Sequence, residues 1–128
     1  MRAKSGFTLV EILIVVVILG ILAAVVIPQF TNASTEAKEN SLKSDLRTMR
    51  SQIELYKIKN SDSPPASLAV LVTGDYLREI PVNPFNSLAT EGTAVDGTVG
   101  WTYVAATGEV TAGDTGTCIN GTTLHSAL

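Results

Sequence analysis

The chain has 128 residues, 45% of them hydrophobic, and a formal net charge of −3. That length suits one small domain, and the acidic balance argues against a nucleic-acid binder that works through phosphate contacts. One cysteine rules out an internal disulfide, and there is no Gly-rich phosphate loop, zinc-ligand cluster or HExxH motif, so nothing points to an enzyme.

The hydrophobic residues are concentrated in the first quarter of the chain. Between Lys4 and Glu36 the only ionisable side chain is Glu11, and Phe7 to Phe30 is a run of 24 residues. As a helix this run spans roughly 36 Å at about 1.5 Å per residue, enough to cross a bilayer. It is too long for the apolar part of a cleaved secretory signal, about 7 to 15 residues, and Ile27-Pro28-Gln29-Phe30 follows in place of a small-x-small cleavage site. Arg2 and Lys4 precede the run with no acid beside them, which predicts a cytoplasmic N-terminus and an exported remainder.

A plain anchor has no use for Glu11. A carboxylate in hydrocarbon costs on the order of 2.5 to 3.5 kcal/mol on insertion scales, so a partner is expected. Lys4 lies about two turns back. A cut between Gly6 and Phe7 would create another cation, the α-amino group of Phe7. It could meet Glu11 within one helix or across two parallel helices offset by about one turn. Further on, Pro28 lacks an amide proton and Gly20 weakens helix propensity by about 1 kcal/mol, which predicts a kink or local melt at these positions.

Gly6-Phe7-Thr8-Leu9-Val10-Glu11, followed by the unbroken apolar stretch and Pro28, resembles the class III leader of type IV pilins and type II secretion pseudopilins. The resemblance implies a membrane prepilin peptidase that cuts after Gly6 and methylates Phe7, and a subunit-docking role for Glu11. It also implies an assembly platform, a cytoplasmic ATPase and minor pilins or pseudopilins as partners. The domains expected are a cytoplasmic leader over 1–6, a transmembrane and filament-core helix over 7–30, and a periplasmic pilin-like head over 31–128.

From Thr31 to Lys59 there is no glycine or proline, and Leu42, Leu46, Met49, Ile53 and Tyr56 step by four, three, four and three. This is one apolar stripe on a helix. Charges of alternating sign, from Glu36 to Lys59, belong to its solvated faces. If the two helices are continuous, they form a rod of roughly 80 Å. Asn60 to Pro65 stops the helix, and Ser67 to Val72 reads as a short second helix ended by Gly74-Asp75. Tyr76 to Phe85, with prolines at 81 and 84, reads as an extended segment packed across the long helix. Its pattern resembles the corresponding pseudopilin segment, where the family often has aspartate at the position of Asn83.

Asn86 to Val99 reads as a polar loop. Gly100 to Ala112 reads as a β-hairpin with Trp101 and Tyr103 in the core and Gly108 in the turn. The Gly-, Thr- and Ser-rich segment from Gly113 to Leu128 reads as loosely held in part. The expected fold is therefore α+β: a long N-terminal helix whose second half packs on a small antiparallel β-sheet head.

Cys118 and His125 formally allow nucleophilic catalysis, but nothing in the sequence orients the histidine as a base. Major pseudopilins commonly hold calcium in an aspartate-rich C-terminal loop, so the resemblance makes calcium a possible cofactor. Asp96 and Asp114, with Glu91 or Glu109, are the available oxygen ligands, though they are spread out. The lone cysteine departs from the cysteine pair of many type IV pilins and favours a pseudopilin that acts as a periplasmic piston for protein export. A type IV pilin of a surface fibre for adhesion or motility is the alternative, and a non-polymeric membrane-anchored binding protein stands behind both.

Overall fold

A computed structural model describes residues 6–128; Arg2 and Lys4, read above as the cytoplasmic flank, lie outside them. Helix α1 spans Leu9–Lys59, 51 residues, and runs without interruption through Gly20 and Pro28. The expected melt is thus not formed in this chain on its own. Proline at 28 removes one amide that would have bonded the Ala24 carbonyl, and a single lost bond does not end a helix whose flanking turns remain. Thr31 Oγ1 donates to the Ile27 carbonyl at 3.2 Å, a back-bond characteristic of bent or loosened helices.

The chain divides into two compact units, Met1–Thr35 and Glu36–Leu128. In the first, the described side chains of α1 are exposed from Leu9 through Ser34. Its most apolar 18-residue window is 0% buried, and the helix is long and apolar enough to cross a membrane.

In the second unit α1 has a core face. Leu42, Leu46, Met49 and Ile53 are buried as the spacing predicts, and Tyr56 is half-buried. Helix α2, Leu68–Thr73, buries Leu68 and Leu71. Ser67, at its N-cap, makes no side-chain cap bond; the Leu68 amide donates instead to Glu91 Oε2. Tyr76, Leu77, Ile80 and Phe85 of the following segment pack against the same core.

Strands β1 (Glu91–Gly92), β2 (Trp101–Val104) and β3 (Glu109–Ala112) form one sheet in that order. β2 and β3 are the expected hairpin, antiparallel, with Trp101 opposite Ala112 and Val104 opposite Glu109. The Gly108 amide closes its turn on the Val104 carbonyl at 2.8 Å, with φ 79°. The sheet is not wholly antiparallel: β1 lies inside the segment read as a loop and pairs parallel to β2, Glu91 opposite Trp101. Two residues are too few for an alternating pattern to show in sequence. The close approach needs glycine at 100, because a Cβ there would stand 2.1 Å from the Leu88 carbonyl oxygen.

Trp101 is fully buried and its Nε1–H donates to the Pro81 carbonyl at 2.7 Å. The Tyr103 hydroxyl donates to the Pro65 carbonyl at 2.6 Å. Burial, reinforced by the Glu91 carboxylate, pushes that phenol up to about 12. Thr102 is buried too, bonded to the Thr111 hydroxyl, so both faces of β2 are covered over its first three residues.

Candidate functional site

Gly6 and Phe7 precede α1 as exposed, non-helical backbone. Thr8 then caps α1. Its amide and hydroxyl both donate to Glu11 Oε2, each at 2.8 Å, while the Glu11 amide donates back to Thr8 Oγ1 at 3.2 Å. This is a capping box, T-x-x-E, in which each side chain satisfies the other residue's backbone amide. The T-x-x-E spacing of Thr8 and Glu11 is the sequence signal for it, and it gives Glu11 a nearer partner than the cations considered above. Glu11 thus has a partner inside its own first turn, and one of its carboxylate oxygens makes no hydrogen bond among the described residues.

The other candidate residues are dispersed. Glu91 is committed to the N-terminus of α2, and Asp96 accepts from the amide and hydroxyl of Thr98. Among the described residues no three acidic, histidine or cysteine side chains come together as a metal site. Glu91, Asp96 and Asp114 are therefore not brought into one calcium-binding group.

Asp114 instead belongs to a buried clasp. Asn83 Nδ2 donates to Asp114 Oδ1 at 2.8 Å and to the Gly100 carbonyl at 2.9 Å, while Asn83 Oδ1 accepts from the Phe85 amide at 2.9 Å. His125 Nδ1 donates to Asp114 Oδ2, which also accepts from the Gly116 amide at 3.1 Å. The His125 ring stacks on Phe85 with centroids 3.8 Å apart, and its buried Nε2 has no partner among the described residues. Nearby, Glu39 Oε2 accepts from the Ile119 amide at 2.9 Å and Glu39 Oε1 takes the Lys43 ammonium. The segment read as loosely held is thus tied down at both ends, by contacts between residues far apart in sequence. Asp114 orients His125, yet no hydrogen bond joins Cys118 to the histidine among the described residues. Burial, with the Glu39 carboxylate, pushes the Cys118 thiol up and away from reactivity.

Burial alone would raise the Asp114 carboxyl, but the hydrogen bonds from Asn83 and His125 outweigh it and hold it below the usual aspartate value. A depressed carboxyl stabilises the fold above its unfolded value, about 3.9, and that contribution is lost as pH falls through the lower folded value. The melting temperature of the wild-type protein should therefore drop between about pH 5 and pH 3. Asp114→Asn should melt lower at pH 6 and follow a shallower acid slope; equal slopes would show that Asp114 is not the titrating group.

Comparison with known proteins places these features. Residues 1–27 match the model of the prokaryotic N-terminal methylation motif. The chain is 39% identical over 101 residues to type II secretion system core protein G of Pseudomonas aeruginosa, covering 67% of this chain and 71% of that one. It is 33% identical to the proteins of the same name from Klebsiella pneumoniae, over 68% and 73% of the two chains, and from Vibrio cholerae, over 68% and 69%. No solved structure gives a significant match. With an exposed non-helical segment before it, a capped apolar helix without cover of its own and a small α+β head, the chain belongs to the type II secretion system core protein G family, the major pseudopilins.

Proposed function

We propose that the protein is the repeating subunit of a periplasmic pseudopilus, a short filament that acts as a piston for protein export. The observation that carries this reading is the first half of α1, whose apolar side chains find no cover in their own chain. In the membrane lipid covers them; in a filament, equivalent helices do. Exchanging lipid for protein gains no hydrophobic drive, so packing and polar contacts must steer it.

Each element then has a task. The Arg2 and Lys4 side hold the leader in the cytoplasm, the inner membrane stores residues 7–30, and residues 31–128 stand in the periplasm. A prepilin peptidase removes residues 1–6 and methylates Phe7. Its cut leaves the new amino group one residue before the Thr8 cap, where the unbonded oxygen of Glu11 in a neighbouring subunit can take it. Gly20 and Pro28 are where α1 yields when subunits pack. The assembly platform, the ATPase and the minor pseudopilins act on this subunit from outside, and its own role is structural rather than catalytic. The relatives' names favour this reading over a surface fibre.

The test is the intact mass of the protein from its native membrane. A chain lacking Met1 to Gly6 and carrying one added methyl group is expected; an uncut chain would overturn the filament mechanism.

A further inference from the structure

Asp114, buried just after β3, fastens several distant stretches of the head to one charge. Its Oδ1 accepts from Asn83 Nδ2 at 2.8 Å, and its Oδ2 accepts from His125 Nδ1 and from the Gly116 amide at 3.1 Å. Asn83 extends the connection to the Gly100 carbonyl, beside the start of β2, and to the Phe85 amide. His125 belongs to the last turn of the chain, and its own amide donates to the Gly116 carbonyl at 3.0 Å. The approach is close enough to need glycine at 116. A Cβ there would stand 2.8 Å from the His125 ring and 2.9 Å from Asp114 Oδ2.

A divalent cation could tie the same stretches together with the opposite sign, by gathering carboxylates and carbonyls around itself. Calcium, the cofactor that the family resemblance makes possible, takes roughly six to eight oxygen ligands. The donor set here does not fit it. Both oxygens of Asp114 face N–H groups, whose positive ends oppose a cation, and Asn83 supplies an N–H where an aspartate would supply an oxygen. Glu91 is held by the Leu68 amide, Asp96 by Thr98, and Glu109 stands exposed on β3. The N–H groups suffice by themselves, because a carboxylate that accepts two or three such bonds keeps its charge when buried. Bonds to a charged acceptor are also roughly twice as strong as neutral ones.

We propose that the Asn83–Asp114–His125 clasp does in this head what a bound divalent cation would do: N–H groups converge on one carboxylate in place of carboxylates converging on one cation, and the head closes without a metal. His125 is then the residue that ties the C-terminal segment to β3, and Asn83 the one that ties the proline-flanked segment to both. The head reaches its folded form whatever the supply of divalent ions around it. This holds for the head of a single subunit, whether or not subunits polymerise.

The test follows thermal unfolding of the full-length protein in detergent by the fluorescence of Trp101, the single tryptophan of the sequence and a buried one. Wild-type melts in EDTA, in excess magnesium and in excess calcium should superimpose. His125→Phe keeps an aromatic ring beside Phe85 and removes the Nδ1 donor. It should lower the midpoint by on the order of 10 °C in all three buffers, because a hydrogen bond to a buried charge is lost and a domain of this size shifts by several degrees for such a loss. A wild-type midpoint that falls in EDTA, or that rises in calcium above its value in magnesium, would show a cation closing the head and overturn the proposal; that comparison needs no variant to fold. A His125→Phe midpoint equal to that of wild type would overturn it as well, since the imidazole would then hold nothing.

Discussion

Asn83→Asp should destabilise the head by roughly 3–5 kcal/mol at neutral pH, although it changes one amide for a carboxylate of the same shape. Asn83 is fully buried, and its Nδ2 bridges the Asp114 carboxylate and the Gly100 carbonyl. An ionised aspartate there donates nothing. Two carboxylates sharing a buried site cannot both ionise cheaply, so one must keep a proton or the clasp must open. Asn83→Ala provides the comparison: it strands the same partners without adding charge, at about 1–3 kcal/mol for each buried group left unpaired. The pH dependence separates the two. The introduced carboxyl has a folded pKa above its unfolded value, so its penalty is present at neutral pH and is relieved as pH falls through that raised value. The gap in melting temperature between Asn83→Asp and wild type should therefore begin to narrow on acidification from neutral pH, while the Asn83→Ala gap should narrow only when Asp114 itself titrates, between about pH 5 and pH 3. A variant as stable as wild type at pH 7 would show that the Asn83–Asp114 bond contributes nothing.

The same residue marks where the sequence stopped being readable. Local patterns were legible: the 42-46-49-53 stripe, the stop at Asn60 to Pro65, α2 and the β2–β3 hairpin all follow from spacing within a dozen residues, and all are present. The clasp joins Asn83, Asp114 and His125 across 31 and 11 residues, and the Glu39–Ile119 bond spans 80. No periodicity encodes such pairs. Aspartates read individually as calcium ligands turn out to satisfy nearby amides, hydroxyls or the buried histidine, because a carboxylate at a turn or a helix start is as useful to the backbone as to a cation. Glu39 belonged to an apparently solvated charge run, and is nonetheless 7% exposed, since the C-terminal segment folds over it. The apolar run was legible because no periodicity set by the fold interrupts it, and it is left uncovered by the chain; Gly6, Phe7 and Glu11 lie within the matched methylation motif.

Glu11→Leu should abolish filaments while leaving as much or more protein in the membrane. The substitution removes the two bonds from Thr8 to the carboxylate, a loss of about 0.5–2 kcal/mol at the helix start. Against that, it relieves the roughly 2.5–3.5 kcal/mol cost of a carboxylate in the apolar layer. Insertion should therefore not suffer, and the head is a separate compact unit that the change does not touch. A mere anchor would be improved by the substitution. Failure to polymerise with normal membrane content thus isolates a contact between subunits as the task of Glu11. Thr8→Val distinguishes docking from capping: it removes the hydroxyl that bonds Glu11 but keeps the carboxylate, so filaments should persist. Filaments of wild-type abundance from Glu11→Leu would assign the acid to the capping box alone. Filaments lost in both variants would instead make the cap, rather than the free oxygen of Glu11, the element that assembly requires.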